Sequence, residues 1–391
     1  MEKKADRAFS QLKTHTAIEK LPRILFCVLM LFQLFLGRSH LGTIGPFPVL
    51  YGQFERHIGI VILLFCFAFK TFTKKELAVY LGVLFLLLVV TFYHHTPHNA
   101  LLLLALTVLL KDESRTWIVN ALFRIYLVAF SGVIGLYLLG VIGSYASQSR
   151  NSLGFMHPNT TGVVFLVLFI CCLLQEKKWF WKVLLLGSYV VLNLFIRSTT
   201  PFLTMLLMLG LILLNEARKR LKLDFTYLRK NASLMMAFFL AFWLLISYYL
   251  AVIYTVDSEW LVSLNRFFTH RLRLSQIFVQ DYSVNLFGNF LFSPGRYENG
   301  WRFLDNGYLW LLLAHGVVYT LTILSYFVWI SKKMYQASFK YVPMIFIGIA
   351  VYTFSEHGIF TYWINVLLLF GGTFLKEDGI ALEKAVILKE G

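Results

Sequence analysis

Long apolar stretches separated by short polar links dominate this chain. Runs at 21–37, 56–73, 76–93, 97–110, 117–145, 159–175, 179–196, 200–215, 232–256, 306–330, 341–355 and 359–375 carry almost no charge. A membrane-crossing helix needs roughly twenty apolar residues, and most of these runs are near that length. The pattern predicts an all-α polytopic transmembrane bundle of about twelve spans. The run at 97–110 is short for a crossing; that at 117–145 is long and begins as an amphipathic stretch containing Arg124. Neither an internal repeat nor a soluble domain is visible, so residues 1–391 read as one integral membrane domain. The connection 257–305 is the one loop long enough to form an extracytoplasmic cap with short helices of its own.

Composition strengthens this reading. Hydrophobic residues make up 58% of the chain and charged ones 14%, with a mean hydropathy of +0.69. Soluble domains sit near about 45–50% and 25%. The first apolar run follows a polar, basic segment and lacks a small-residue cleavage site, so it reads as a retained span. The four cysteines lie inside apolar runs, with no metal-ligand spacing and no disulfide framework.

The formal charge of +16 carries positional information. In a membrane protein, basic links set orientation and meet anionic headgroups, which accounts for the excess without nucleic acid. Lys3, Lys4, Arg7, Lys13, Lys20 and Arg23 place the N-terminus in the cytoplasm. Alternation from there puts every lysine at the inner side and both termini inside. The segment 216–231, with Arg218, Lys219, Arg220, Lys222, Arg229 and Lys230, is the strongest inner link. The outer side instead gathers arginine, including Arg38, Arg56, Arg150, Arg197, Arg266, Arg271, Arg273, Arg296 and Arg302, together with most of the histidines.

Outer arginine opposes the orientation signal and calls for a reason. A guanidinium offers a planar fork that matches phosphate, so an anionic ligand at the outer surface is one reason and headgroup contact is another. Four local patterns carry candidate chemistry. Arg150 to Asn159 reads RNSLGFMHPN, placing His157 before a proline-started helix whose N-terminus attracts anions. A helix over 264–278 would align Arg266, His270 and Arg273 on one face, with Arg271 elsewhere, either resting on the bilayer or facing a substrate. Asp305, flanked by Arg296 and Arg302, either caps the next helix or orients an arginine or sugar hydroxyl. Ser355-Glu356-His357 is either a polar turn or a general-base pair. A phosphate loop of the GxxxxGK[ST] type, HExxH and GxSxG are all absent from the sequence, and no metal or cofactor is called for.

The run NSLGFMHPNTTG at 151–162 resembles the signature of Wzy-type polysaccharide polymerases of Gram-positive capsule and exopolysaccharide clusters. Later segments resemble that family in the same order: NRFFTHRLR at 265–273, Leu286-Phe287-Gly288, Asp305-Asn306-Gly307-Tyr308-Leu309, Gly316-Val317-Val318, and then Glu356 and Asn365. Thr269-His270 stands where the family has Ser-Gly, and the arginine-glycine loop repeats of Gram-negative relatives are not reproduced.

The resemblance implies an enzyme of the bacterial cytoplasmic membrane. It would join oligosaccharide repeats carried on undecaprenyl diphosphate at the outer leaflet, without metal or cofactor. Donor and acceptor glycans, membrane lipids, a chain-length regulator and a flippase would be its partners. Under that reading His157, Glu356 and Asp305 are candidate catalytic residues. Arg150, Asn159, Arg266, His270, Arg271, Arg273, Arg296 and Arg302 would bind diphosphate or glycan. A related ligase, a lipid-linked oligosaccharide flippase and a membrane acyltransferase are the rival readings.

Overall fold

The computed structural model describes residues 20–93, 98–147, 150–221, 231–289 and 304–378. The described residues are helical, with one short hairpin. Helix α1 covers 20–35; α2 is Phe47–Phe69, α3 Lys74–Tyr93, α4 His98–Leu109 and α5 Arg115–Leu138. The hairpin pairs Ala146–Ser147 (β1) with Arg150–Asn151 (β2). Helices α6 (Pro158–Leu174), α7 (Trp179–Ile196), α8 (Thr199–Arg220) and α9 (Ala232–Ile253) follow. Two short helices come next, α10 (Glu259–Phe267) and α11 (Arg271–Asp281). The chain then forms α12 (Gly307–Trp310), continuing through a wide turn into α13 (Gly316–Gln336), and ends with α14 (Val342–Thr353) and α15 over 371–378.

Five of these helical stretches are long and apolar enough to cross a membrane, or six if the bent α2 is counted as one. Their exposed faces are apolar too: Phe195, Leu214, Phe238 and Leu245 are among the large side chains left uncovered on α7 to α9. Helix α6 is the opposite case. Residues 161–174 are all buried, so it forms the centre against which α5, α7 and α8 pack.

The two ends of the bundle differ chemically. At one end Arg23 pairs with Glu113 at 2.7 Å, Lys70 with Asp112 at 2.6 Å and Lys333 with Asp378 at 2.6 Å. Lys111 and Glu76 pair at 2.9 Å with side chains only 1% exposed. These pairs join the start of α1, the end of α2, the start of α3, the end of α4 and the end of α13. Successive helices therefore alternate in direction, and lysine collects at one end. The other end carries Arg38, Arg150 and Arg271 with His40, His157 and His357.

Two expected spans are shortened or interrupted yet still long enough to cross, and a third takes another form. The run 117–145 stops being helical at Leu138, where Gly140 turns left-handed at φ +71° and the Val141 amide folds back to the Leu136 carbonyl. The run 306–330 is interrupted by a π-type turn over Leu311–His315, after which Gly316 sits at φ +83°. The run 359–375 is turns and a short 3-10 helix, Val366–Phe370, before α15.

Irregular backbone is tolerated at such depth only inside protein, where its polar groups find partners. Residues 359–375 are buried throughout. Tyrosine hydroxyls from neighbouring helices satisfy the carbonyls: Tyr126 donates to Trp363 and Tyr326 to Leu368, the latter at 2.6 Å. Asn365 Nδ2 donates to the Ile359 carbonyl at 2.9 Å.

The break before α13 is held by the 283–289 loop. The Val317 amide donates to Asn285 and that of Val318 to Leu286, at 3.0 and 3.1 Å. Asn289 Nδ2 donates to the Leu313 carbonyl at 2.8 Å. A Cβ on Gly316 would stand 2.3 Å from the Gly288 nitrogen, so both positions need glycine. Leu286-Phe287-Gly288 and Gly316-Val317-Val318, separate motifs in the sequence, thus form one joint.

Candidate functional site

Proline at the first turn of α6 and His157 before it fix where that helix begins. His157 Nδ1 accepts the Asn159 amide at 3.1 Å, so the ring caps the helix and carries its proton on Nε2 when neutral. Desolvation and the nearby Arg150 and Arg271 charges lower its proton affinity, with Asp305 acting the other way. The ring is exposed and lies 5.7 Å from Tyr145.

Asn159, one turn further in, is the junction of the site. Its Oδ1 accepts from Arg150 Nη2 at 2.8 Å and from Ser198 Oγ at 3.0 Å. Its Nδ2 donates to Glu356 Oε1 at 2.8 Å. Arg150 Nε also donates to the Ile196 carbonyl at 3.3 Å, one of the carbonyls that the end of α7 leaves unpaired.

Glu356 follows α14. Its Oε1 also accepts from Arg271 Nη2 at 2.6 Å, and Arg271 Nε donates to Asp305 Oδ2 at 3.1 Å. Arg271 Nη1 reaches Thr200 Oγ1 at 3.4 Å. Arg150, Asn159, Glu356, Arg271 and Asp305 thus form one chain of contacts drawn from five parts of the sequence. Burial raises Glu356 from the ordinary carboxylate range to about 7, against the attraction of Arg271. Its side chain as a whole remains 18% exposed. Desolvation works against the charge on Arg271, but its two carboxylate partners prevail and hold its proton affinity above the usual value.

The expected helix over 264–278 is two helices, α10 and α11. Thr269 and His270 sit left-handed at φ +51° and +66°, and the His270 amide folds back to the Asn265 carbonyl at 2.7 Å. Asn265 makes the break possible. It is 3% exposed, and its Oδ1 accepts the Arg273 amide at 3.1 Å, capping α11 from outside that helix. The break re-aims the arginines. Arg271 enters the carboxylate cluster, while Arg266, His270 and Arg273 are exposed. The unbroken helical register expected to align those three residues is therefore absent.

Two further expectations are redistributed. Asn306, rather than Asp305, caps the next helix, its Oδ1 accepting from Tyr308 and Leu309 amides at 3.1 Å. That leaves Asp305 free for Arg271. His357 turns away from Glu356: Nε2 meets the Leu304 carbonyl at 2.6 Å and the ring packs on Trp310 at 4.5 Å. Arg296 and Arg302 lie outside the described residues. Among the described residues, no three His, Cys, Asp or Glu side chains gather as a metal cage.

Ser198 and Thr200 are site residues that sequence reasoning missed. The readable signal was the hydroxyl run Ser198-Thr199-Thr200 before Pro201 at the mouth of a span. Comparison with known protein families, curated proteins and solved structures finds no match.

Proposed function

We propose that this chain crosses the bacterial cytoplasmic membrane about twelve times, lysine end inward, and polymerises lipid-linked oligosaccharides at its outer face. The observation that carries this reading is the Arg150–Asn159–Glu356–Arg271–Asp305 cluster. It joins segments that resemble the polysaccharide polymerases, and it sits at the arginine end.

The chemistry follows from the cluster. An acceptor hydroxyl attacks the anomeric carbon of the donor glycan. The carbon–oxygen bond to the diphosphate breaks, and undecaprenyl diphosphate leaves with the electron pair. Glu356 takes the hydroxyl proton; a proton affinity close to neutrality suits a general base. Proton uptake removes one of the two negative charges that face Arg271. The guanidinium is then left with charge to stabilise the departing diphosphate, whose negative charge develops in the same step.

The test is incubation of the purified protein in liposomes with an undecaprenyl-diphosphate-linked repeat unit. Chain growth with release of undecaprenyl diphosphate, lost in Glu356→Gln, is the expected result. Transfer of the repeat across the bilayer without growth would instead indicate a transporter.

A further inference from the structure

Arg38 stands apart from every arginine of the cluster. Arg271 faces two carboxylates and Arg150 an amide oxygen and a carbonyl. Among the described residues the Arg38 guanidinium has only a ring beneath it, that of Trp363, with its carbon 4.5 Å from the centroid. Its Nε is buried without a hydrogen-bond partner. Glu55, an acid on the first turns of α2, is engaged by the Tyr51 hydroxyl at 3.2 Å and makes no ion pair with Arg38.

A second donor waits at the same place. Trp363 is 6% exposed, and its indole N–H, on the rim of the ring under Arg38, also lacks an acceptor. His40 Nε2, two residues from Arg38, is a third buried nitrogen without a partner. These groups are held firmly by backbone. The Arg38 carbonyl accepts the Met156 amide at 3.0 Å, and the His40 amide donates to Gly154 at 2.9 Å. The Trp363 carbonyl accepts from Tyr126.

A guanidinium whose buried Nε has no acceptor, beside an unpaired indole N–H, is a costly arrangement unless an anion completes it. A fork of donors on an aromatic platform, with a further N–H at its edge, matches the oxygens of a phosphate group. We propose that Arg38 and Trp363 form a phosphate-binding site at the arginine end, separate from the Glu356 cluster and joined to it through the 150–157 segment. The phosphate can belong to a polyprenyl diphosphate, to a phospholipid headgroup or to free phosphate.

The test is calorimetric titration of the full-length protein in neutral detergent with farnesyl diphosphate, and in parallel with inorganic pyrophosphate. Wild type is expected to bind one equivalent of farnesyl diphosphate. Arg38→Gln should weaken that binding at least tenfold. Trp363→Phe keeps the platform, removes only the N–H, and should weaken it several-fold with an unchanged unfolding midpoint. Equal affinity for both probes assigns the site to the phosphate alone; preference for farnesyl diphosphate assigns it to a lipid diphosphate. Competition by phosphatidylglycerol, but not phosphatidylcholine, in nanodiscs assigns it to a headgroup. No binding by wild type, or unchanged affinity in both variants, overturns the proposal. Chain growth in liposomes is scored separately: wild type that extends chains but binds no probe overturns this proposal alone, and wild type that binds the probe through Arg38 and Trp363 but extends no chains overturns the polymerase reading alone.

Discussion

Glu356→Gln should remove a pH dependence of stability that the wild-type protein shows. Burial moves the Glu356 carboxyl from its ordinary 4.5 to about 7. The folded state therefore holds this proton more tightly than the unfolded chain does. Its stabilising contribution is complete below pH 4.5 and fades as pH rises to about 7, where the charged form must be kept in the bundle. At about 1.4 kcal/mol per tenfold change in proton affinity, the displacement from 4.5 to about 7 is worth about 3 kcal/mol. Glutamine keeps an oxygen for Arg271 and Asn159 but has no proton to lose. Thermal unfolding in detergent, followed by tryptophan fluorescence from pH 5 to 8, should show a falling midpoint for wild type. The midpoint for Glu356→Gln should be nearly flat, and exposed Asp257→Asn should follow wild type. An unaltered pH slope in Glu356→Gln would refute burial as the dominant cause.

Arg271→Gln leaves Glu356 and Asp305 without their shared cation and should cost about 3–5 kcal/mol at pH 8; the loss should shrink at pH 5, where Glu356 holds its proton, as read from the same unfolding curves. Asn265→Ala removes the cap of α11 and should cost about 1–2 kcal/mol, with Asn265→Asp, which keeps the acceptor oxygen, recovering most of it. Gly316→Ala forces a side chain into a left-handed position against Gly288 and should cost well over about 1 kcal/mol, visible as loss of the monodisperse peak on size exclusion. Lys111→Met strands Glu76 in a buried site and should cost about 3–5 kcal/mol. The double variant Lys111→Met, Glu76→Leu should regain much of that midpoint.

The positions of most helices were legible because apolar length alone marks them. The segment 359–375 was not, since a buried irregular segment is as apolar as a span and its hydrogen-bond partners, Tyr126 and Tyr326, lie far away in sequence. The site was legible as residue types but not as geometry. Asn159 and Glu356 meet across 197 positions, which no local pattern encodes. The choice of Arg271 over Arg273 turned on the left-handed pair Thr269-His270. Helical periodicity presumes an unbroken helix, which the positive φ of Thr269 and His270 interrupts.

The joint between the 283–289 loop and α13 bears on how the chain is made. The loop precedes the broken stretch, so it leaves the ribosome first. When residues 307–336 enter the bilayer, the amides of Val317 and Val318 have no helical partners at the break, and only the carbonyls of Asn285 and Leu286 complete them. An amide left bare in hydrocarbon costs several kcal/mol. The order of synthesis therefore supplies the two carbonyls before the amides that need them.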